Sequence, residues 1–155
     1  MTEDKEKQDP QVVLQKLYVE QQMLESNIKM LAQHIELVQV SLSSYRSGFE
    51  VLKELEGKSE NEEMLMNVGG GIFVEAKLSD PDKILRTIGS GVRIEQSRED
   101  ASAQIGETIS SLEERLEKSQ RDYEGMVNRA TIVNQQLQQL ATMMQGQPPQ
   151  QTPEE

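Results

Sequence analysis

Several short stretches of this 155-residue chain carry the residue types that bind phosphate or metal. Gly57-Lys58-Ser59 has the ending of a Walker A loop, whose first glycine must stand five residues before the second; that position is Leu52. Gly69-Gly70-Gly71 runs into "IFVEAKL", a strand pattern, so no helix N-terminus follows to direct its dipole at a phosphate. "GSGVRI" has Ile94 where a dinucleotide fingerprint has its third glycine, and "DPDKI" departs from the calcium-loop pattern at once. His34 is the single histidine and there is no cysteine to complete a metal or nucleophilic site beside it. Glu113, Glu114 and Glu117 alternate with Arg115, Lys118 and Arg121, a solvated, salt-laced helix face rather than an acid and base pair. The expectation is a protein with no catalytic residue, cofactor or metal, and no enzyme activity.

The composition points the same way. Only 35% of residues are hydrophobic and 3% aromatic, too few for a large globular core, so an elongated or assembled structure is expected. A net charge of -11 with no basic stripe repels nucleic-acid phosphates and anionic lipid. The N-terminus "MTEDKEKQDP" has no apolar signal region, and no run of 18 apolar residues follows. The lack of cysteine excludes disulfides. These features predict a soluble, cytoplasmic protein that binds neither nucleic acid nor membrane.

What organises the chain is a pair of apolar seams. Positions spaced alternately by three and four run Leu14, Leu17, Gln21, Leu24, Ile28, Leu31, Ile35, Val38, Leu42, Tyr45, Phe49 and Leu52, with only Gln21 polar. A second series runs Ile105, Ile109, Leu112, Leu116, Ser119, Tyr123, Met126, Ala130, Val133, Leu137, Leu140 and Met144, with only Ser119 polar. Such spacing over five heptads predicts a coiled coil. Asp9 before Pro10 reads as the cap of the first helix, and Ser97 with Asp100 as a capping box for the second; Gly57, and Gly146 with Pro148, mark the stops. The seams match in length, so folding the chain at its centre sets Leu52 beside Ile105 and Leu14 beside Met144. The result is one antiparallel arm of about 58 Å with both termini at its far end. Gly48, Gly106 and Gly125 fall inside these helices, each costing about 1 kcal/mol relative to alanine.

Between the helices the period changes to two. Ile72, Val74, Ala76 and Leu78 alternate with Phe73, Glu75 and Lys77, and the alternation resumes at Ile84, Arg86 and Ile88 and at Val92, Ile94 and Gln96. "NVGGG", "SDPD" and "GSG" read as turns. Two β-hairpins are therefore expected at the base of the arm, and their edges and apolar alternation need a partner surface.

Taken together, helix, "GGGIFVEAKLSDPDKILRTIGSGVRIEQS" and helix resemble the alpha-type subunit of prefoldin in its archaeal form, over residues 10 to 146. The resemblance implies a mainly α fold with a small β insert: a long antiparallel two-helix coiled coil whose two hairpins join an oligomeric β-barrel. Helix 1 would occupy 10–57, the hairpins 62–96 and helix 2 97–146, between a disordered N-terminus at 1–9 and a disordered Gln/Pro tail at 147–155. It further implies an ATP-independent chaperone subunit in a hexamer of two alpha and four beta subunits. Such assemblies capture unfolded polypeptides at the arm tips and deliver them to a group II chaperonin. Assembly would fall to Ile72, Val74, Ala76, Leu78, Ile84, Ile88, Val92 and Ile94. Capture would fall to Val12, Val13, Leu14, Leu17, Met23, Leu140, Met143 and Met144, where flexible methionines suit surfaces of many shapes. The alternative is a structural coiled-coil adaptor between fixed partners; a nucleotide switch ranks behind both.

Overall fold

The computed structural model describes residues 9–146. Along the chain two long helices flank four strands: α1 (Pro10–Leu55), β1 (Glu63–Gly69), β2 (Ile72–Lys77), β3 (Lys83–Gly89), β4 (Val92–Ser97) and α2 (Arg98–Gln145). The termini expected to be disordered lie, apart from Asp9, outside the described residues.

Both helix starts follow from their caps. The Asp9 carboxylate accepts from the Gln11 amide at 3.0 Å, satisfying a donor that the first turn leaves free, and Pro10 has no amide to satisfy. The Ser97 hydroxyl accepts from the Asp100 amide at 3.1 Å, and Glu99 and Asp100 put negative charge at the positive end of α2. α1 ends at Leu55, two residues before Gly57, because Glu56 and Lys58 turn back with amide bonds to the Lys53 and Leu55 carbonyls. A Lys58–Glu62 ion pair at 2.6 Å and a Ser59 amide bond to the same carboxylate fix this connector. The hydrogen bond from Lys58 and the Ser59 amide hold the Glu62 carboxyl below its usual range, and the bond to Glu62 raises Lys58.

The chain divides into two compact units. In the unit Leu37–Leu116, Val38, Leu42, Leu52 and Ala101 are buried, and Phe49 lies 4.0 Å from where a side chain on Gly106 would begin. Arg46 bridges Glu113 across these segments at 2.6 Å, through side chains that are about half exposed and contribute little. Of the seam positions only Tyr45 stands exposed, its hydroxyl free to reach water. The second unit comprises the helical segments before Leu37 and after Leu116. Val133, Leu137 and the small Ser119 are buried there, and the polar seam residue Gln21 donates to the Asn134 side chain at 2.8 Å. Glu20 binds Arg129 at 2.6 Å.

The strands form two separate two-stranded sheets, β1 with β2 and β3 with β4, both antiparallel. Their registers are one pattern displaced by twenty residues: Glu63 pairs Lys77 and Lys83 pairs Ser97, and the slip between Asn67 and Gly69 recurs between Thr87 and Gly89. Gly69, Gly71, Gly89 and Gly91 all have positive φ, which accounts for glycine at the same two places in both turns. "SDPD", expected to be a hairpin-type connection, instead separates the two sheets. The Asp80 carboxylate accepts from the Asp82 amide at 2.9 Å. The Asp82 carbonyl accepts from the Arg98 amide, and its carboxylate accepts at 3.3 Å from the Arg98 Nε, so the segment is drawn to the start of α2 and not closed between β2 and β3.

A methyl group on Gly48 would meet nothing within 4 Å, whereas Gly71 has a φ of 76°. Gly48→Ala is expected to raise stability by about 1 kcal/mol. Gly71→Ala should lower it by about 1–2 kcal/mol, because a Cβ in the left-handed region meets its own backbone. Thermal unfolding followed by circular dichroism distinguishes the two signs.

Candidate assembly and binding surfaces

The hairpins carry the densest exposed apolar surface of the described chain. In hairpin β1–β2, Met66 pairs Val74 and Met64 pairs Ala76 on one face, while Leu65 pairs Glu75 and Asn67 pairs Phe73 on the other. Because directly paired residues share a face, the exposed Leu65 and Phe73 lie on the side opposite Val74. The expected assembly residues divide accordingly. Ala76, Leu78, Ile84 and Ile94 are half-buried, whereas Ile72, Val74, Ile88 and Val92 are exposed. Leu65, Phe73 and Leu85 are apolar and exposed too; they lie within the strand ranges 64–68, 72–78 and 84–88 that the resemblance assigns to assembly, although the alternation of β2 puts Phe73 in the polar phase. The twenty-residue repeat aligns Leu65 with Leu85.

Each strand has one neighbour, so each hairpin leaves both outer edges without a ladder partner. In hairpin β3–β4 the half-buried face carries Ile84 opposite Gln96 and Arg86 opposite Ile94. Arg86 Nε and Gln96 Nε2 are both shielded there with no hydrogen-bond partner. A shielded donor left unmade costs about 1–3 kcal/mol. On the outer face Lys83 binds Glu95 at 2.8 Å, and that bond raises the lysine pKa.

The eight residues expected to capture clients differ in exposure. Leu14, Leu17, Leu140 and Met144 are half-buried at seam positions, with Val13 half-buried beside them, whereas Val12, Met23 and Met143 face outward. Val12 and Val19 border a shallow depression with Gln15 and Lys16; Met143 borders another with Gln138, Gln139 and Thr142. His34 is exposed, and among the described residues no cluster of metal-ligating side chains forms. No helix among them is long and apolar enough to cross a membrane.

Two long helices joined through paired β-hairpins with open edges define a class of coiled-coil assembly subunits. Residues 24–142 match the family model for prefoldin subunits. The chain is 29% identical over 117 residues to the prefoldin alpha subunit of Methanobrevibacter smithii, covering 76% of this chain and 80% of that protein. It is 29% identical over 140 residues to that of Archaeoglobus fulgidus, covering 90% and 92%. A cryo-EM structure of filamentous prefoldin from Methanocaldococcus jannaschii shares the fold, with a TM-score of 0.61 at 20% identity over 74% of this chain and 95% of that one. The chain belongs to the prefoldin family of chaperone subunits, and the relatives it resembles are archaeal alpha subunits.

Proposed function

We propose that the chain is the alpha subunit of an ATP-independent holdase. Its hairpins join those of beta-type partners into a β-barrel, with two alpha and four beta subunits in the hexamer, and its helices project as arms from residues 10–57 and 97–146. The arm ends capture unfolded polypeptides and pass them to a group II chaperonin in the cytoplasm. The protein binds and releases without catalysing a reaction and needs no cofactor. The observation that carries client capture is the exposure of Val12, Met23 and Met143 near the helix termini, with Met23 and Met143 more than 60% exposed. Apolar contact is non-directional and scales with buried area, which suits clients that share exposed hydrophobic surface and no sequence. The half-buried seam residues Leu14, Leu17, Leu140 and Met144 enlarge that surface when the terminal turns fray.

The complex reconstituted with a beta-type partner is expected to keep two unrelated denatured proteins in solution with no nucleotide present, as read by light scattering. Protection of neither, beside tight binding to one native partner, would favour the structural adaptor. A dependence on ATP would overturn the reading.

A further inference from the structure

The two hairpins share one register and differ in charge. Displaced by twenty residues, Met66 and Ala76 of β1–β2 correspond to Arg86 and Gln96 of β3–β4, and Phe73 corresponds to Arg93. Hairpin β3–β4 sets Lys83, Arg86 and Arg93 against Glu95, a net charge of +2, whereas β1–β2 sets Lys77 against Glu63 and Glu75, a net of -1. α1 and α2 are each net negative, so in a chain of net charge -11 this hairpin is the one positive element among those described. Lys83 takes up Glu95 on the outer face, which leaves Arg86 and Arg93 to carry the excess, one on each face. Arg86 shares the half-buried face with Ile84, Ile94 and Gln96, and neither its Nε nor the Gln96 Nε2 has a hydrogen-bond partner.

We infer that this half-buried face of β3–β4 closes against a hairpin of the beta-type partner that carries a carboxylate, from aspartate or glutamate, facing Arg86. The inference rests on the reading that the hairpins assemble with such a partner, and it adds the chemistry by which one of them recognises it. A guanidinium covered by a wholly apolar strand loses its water and gains no counter-charge, so an apolar hairpin is refused there; a carboxylate neutralises the charge and forms a charge-assisted hydrogen bond. Met66 makes no such demand at the equivalent place in β1–β2. The two hairpins are alike in shape, and this pair is what distinguishes them to the partner. A second copy of this chain does not fit the site. Within the strands Glu63, Glu75 and Glu95 all lie on the other face, opposite Lys77, Leu65 and Leu85. The carboxylates at the hairpin bases are already engaged, Glu62 by Lys58 and Asp82 by Arg98. The counter-charge therefore comes from a different chain.

Arg86→Met gives β3–β4 the side chain that β1–β2 has at that place, and Arg86→Glu reverses the charge. Each full-length variant is titrated with the beta-type partner and followed by light scattering, with helicity checked by circular dichroism. Arg86→Met is expected to weaken assembly at least about tenfold, and Arg86→Glu further, because the partner's carboxylate then meets a like charge. Each Asp and Glu of the partner's hairpin is next changed to Lys in turn. One such change should restore assembly with Arg86→Glu and weaken it with the unmodified chain. Undiminished assembly of Arg86→Met and Arg86→Glu overturns the inference and leaves the hairpins as the interface, whereas assembly of a chain with Val74→Asp and Ile94→Asp would remove the hairpins themselves. Failure of every partner reversal to restore Arg86→Glu also overturns it. So does a loss confined to self-association of the chain alone, which would put a second copy on this face.

Discussion

Val74→Asp together with Ile94→Asp is expected to abolish hetero-oligomer formation at concentrations where the unmodified chain assembles fully with a beta-type partner. The two residues sit at equivalent places in the two hairpins, Val74 opposite Met66 and Ile94 opposite Arg86. Val74 is 44% exposed in the isolated chain, so aspartate there costs little until a partner covers it. Ile94 is half-buried opposite Arg86, whose shielded Nε lacks an acceptor, and aspartate at that site can supply one within the hairpin. The unpaired charge that Val74→Asp leaves opposite apolar Met66 in a closed interface costs about 3–5 kcal/mol, and about 1.4 kcal/mol is a factor of ten in affinity. A loss of at least a hundredfold is therefore expected, read as the mass of the mixture by light scattering. The helices should persist by circular dichroism, since neither residue lies on a seam. Assembly at the unmodified concentration would remove the hairpins as the interface. Phe73→Ser supplies the finer test: if the face carrying Leu65 and Phe73 is also covered, this single change weakens assembly while Val74 and Ile94 remain intact.

Much of the architecture was legible because each element repeats one physical signal. Twelve seam positions at three-four spacing define the face that α1 turns to its partner helix, and Asp9 and Ser97 each carry an oxygen where a free amide must be met. The glycine turns were legible because only glycine takes φ values such as 100° at Gly69 and 133° at Gly89 without strain. Other features lie outside what periodicity encodes. Asp80 and Pro81 look the same in a hairpin turn as in a linker, and it is the bonds from Arg98 to Asp82 that make the segment a linker. Alternation alone names one face of β2, because β2 has apolar residues in both phases and puts the exposed Phe73 in the other. Closeness to the termini, the criterion behind the capture residues, mixes outward Met143 with inward Met144.

Deleting residues 1–16 together with 141–155 tests the arm ends directly. The deletion removes Val12, Val13, Leu14, Met143 and Met144 of the proposed capture surface and leaves Leu17, Met23 and Leu140. It spares the hairpins, the buried residues Val133 and Leu137, and the Gln21–Asn134 and Glu20–Arg129 bonds. Both cut ends fall in helix, where terminal turns already lack intrahelical partners, so the loss of structure should stop within about one turn. The truncated chain is therefore expected to assemble with its partner at a mass reduced only by the deleted residues. Protection of a denatured protein should fall several-fold, because captured area scales with the apolar surface offered. It should not vanish, since beta-type arms contribute surface of their own. Two measurements on the same preparation separate the possibilities: the mass by light scattering, and the fraction of a denatured protein kept in solution. An intact mass with undiminished protection removes the alpha arm ends from client capture. A collapsed mass would assign the terminal segments to assembly, because apolar residues that hold subunits together and apolar residues that hold clients differ only in which contact fails first when they are gone.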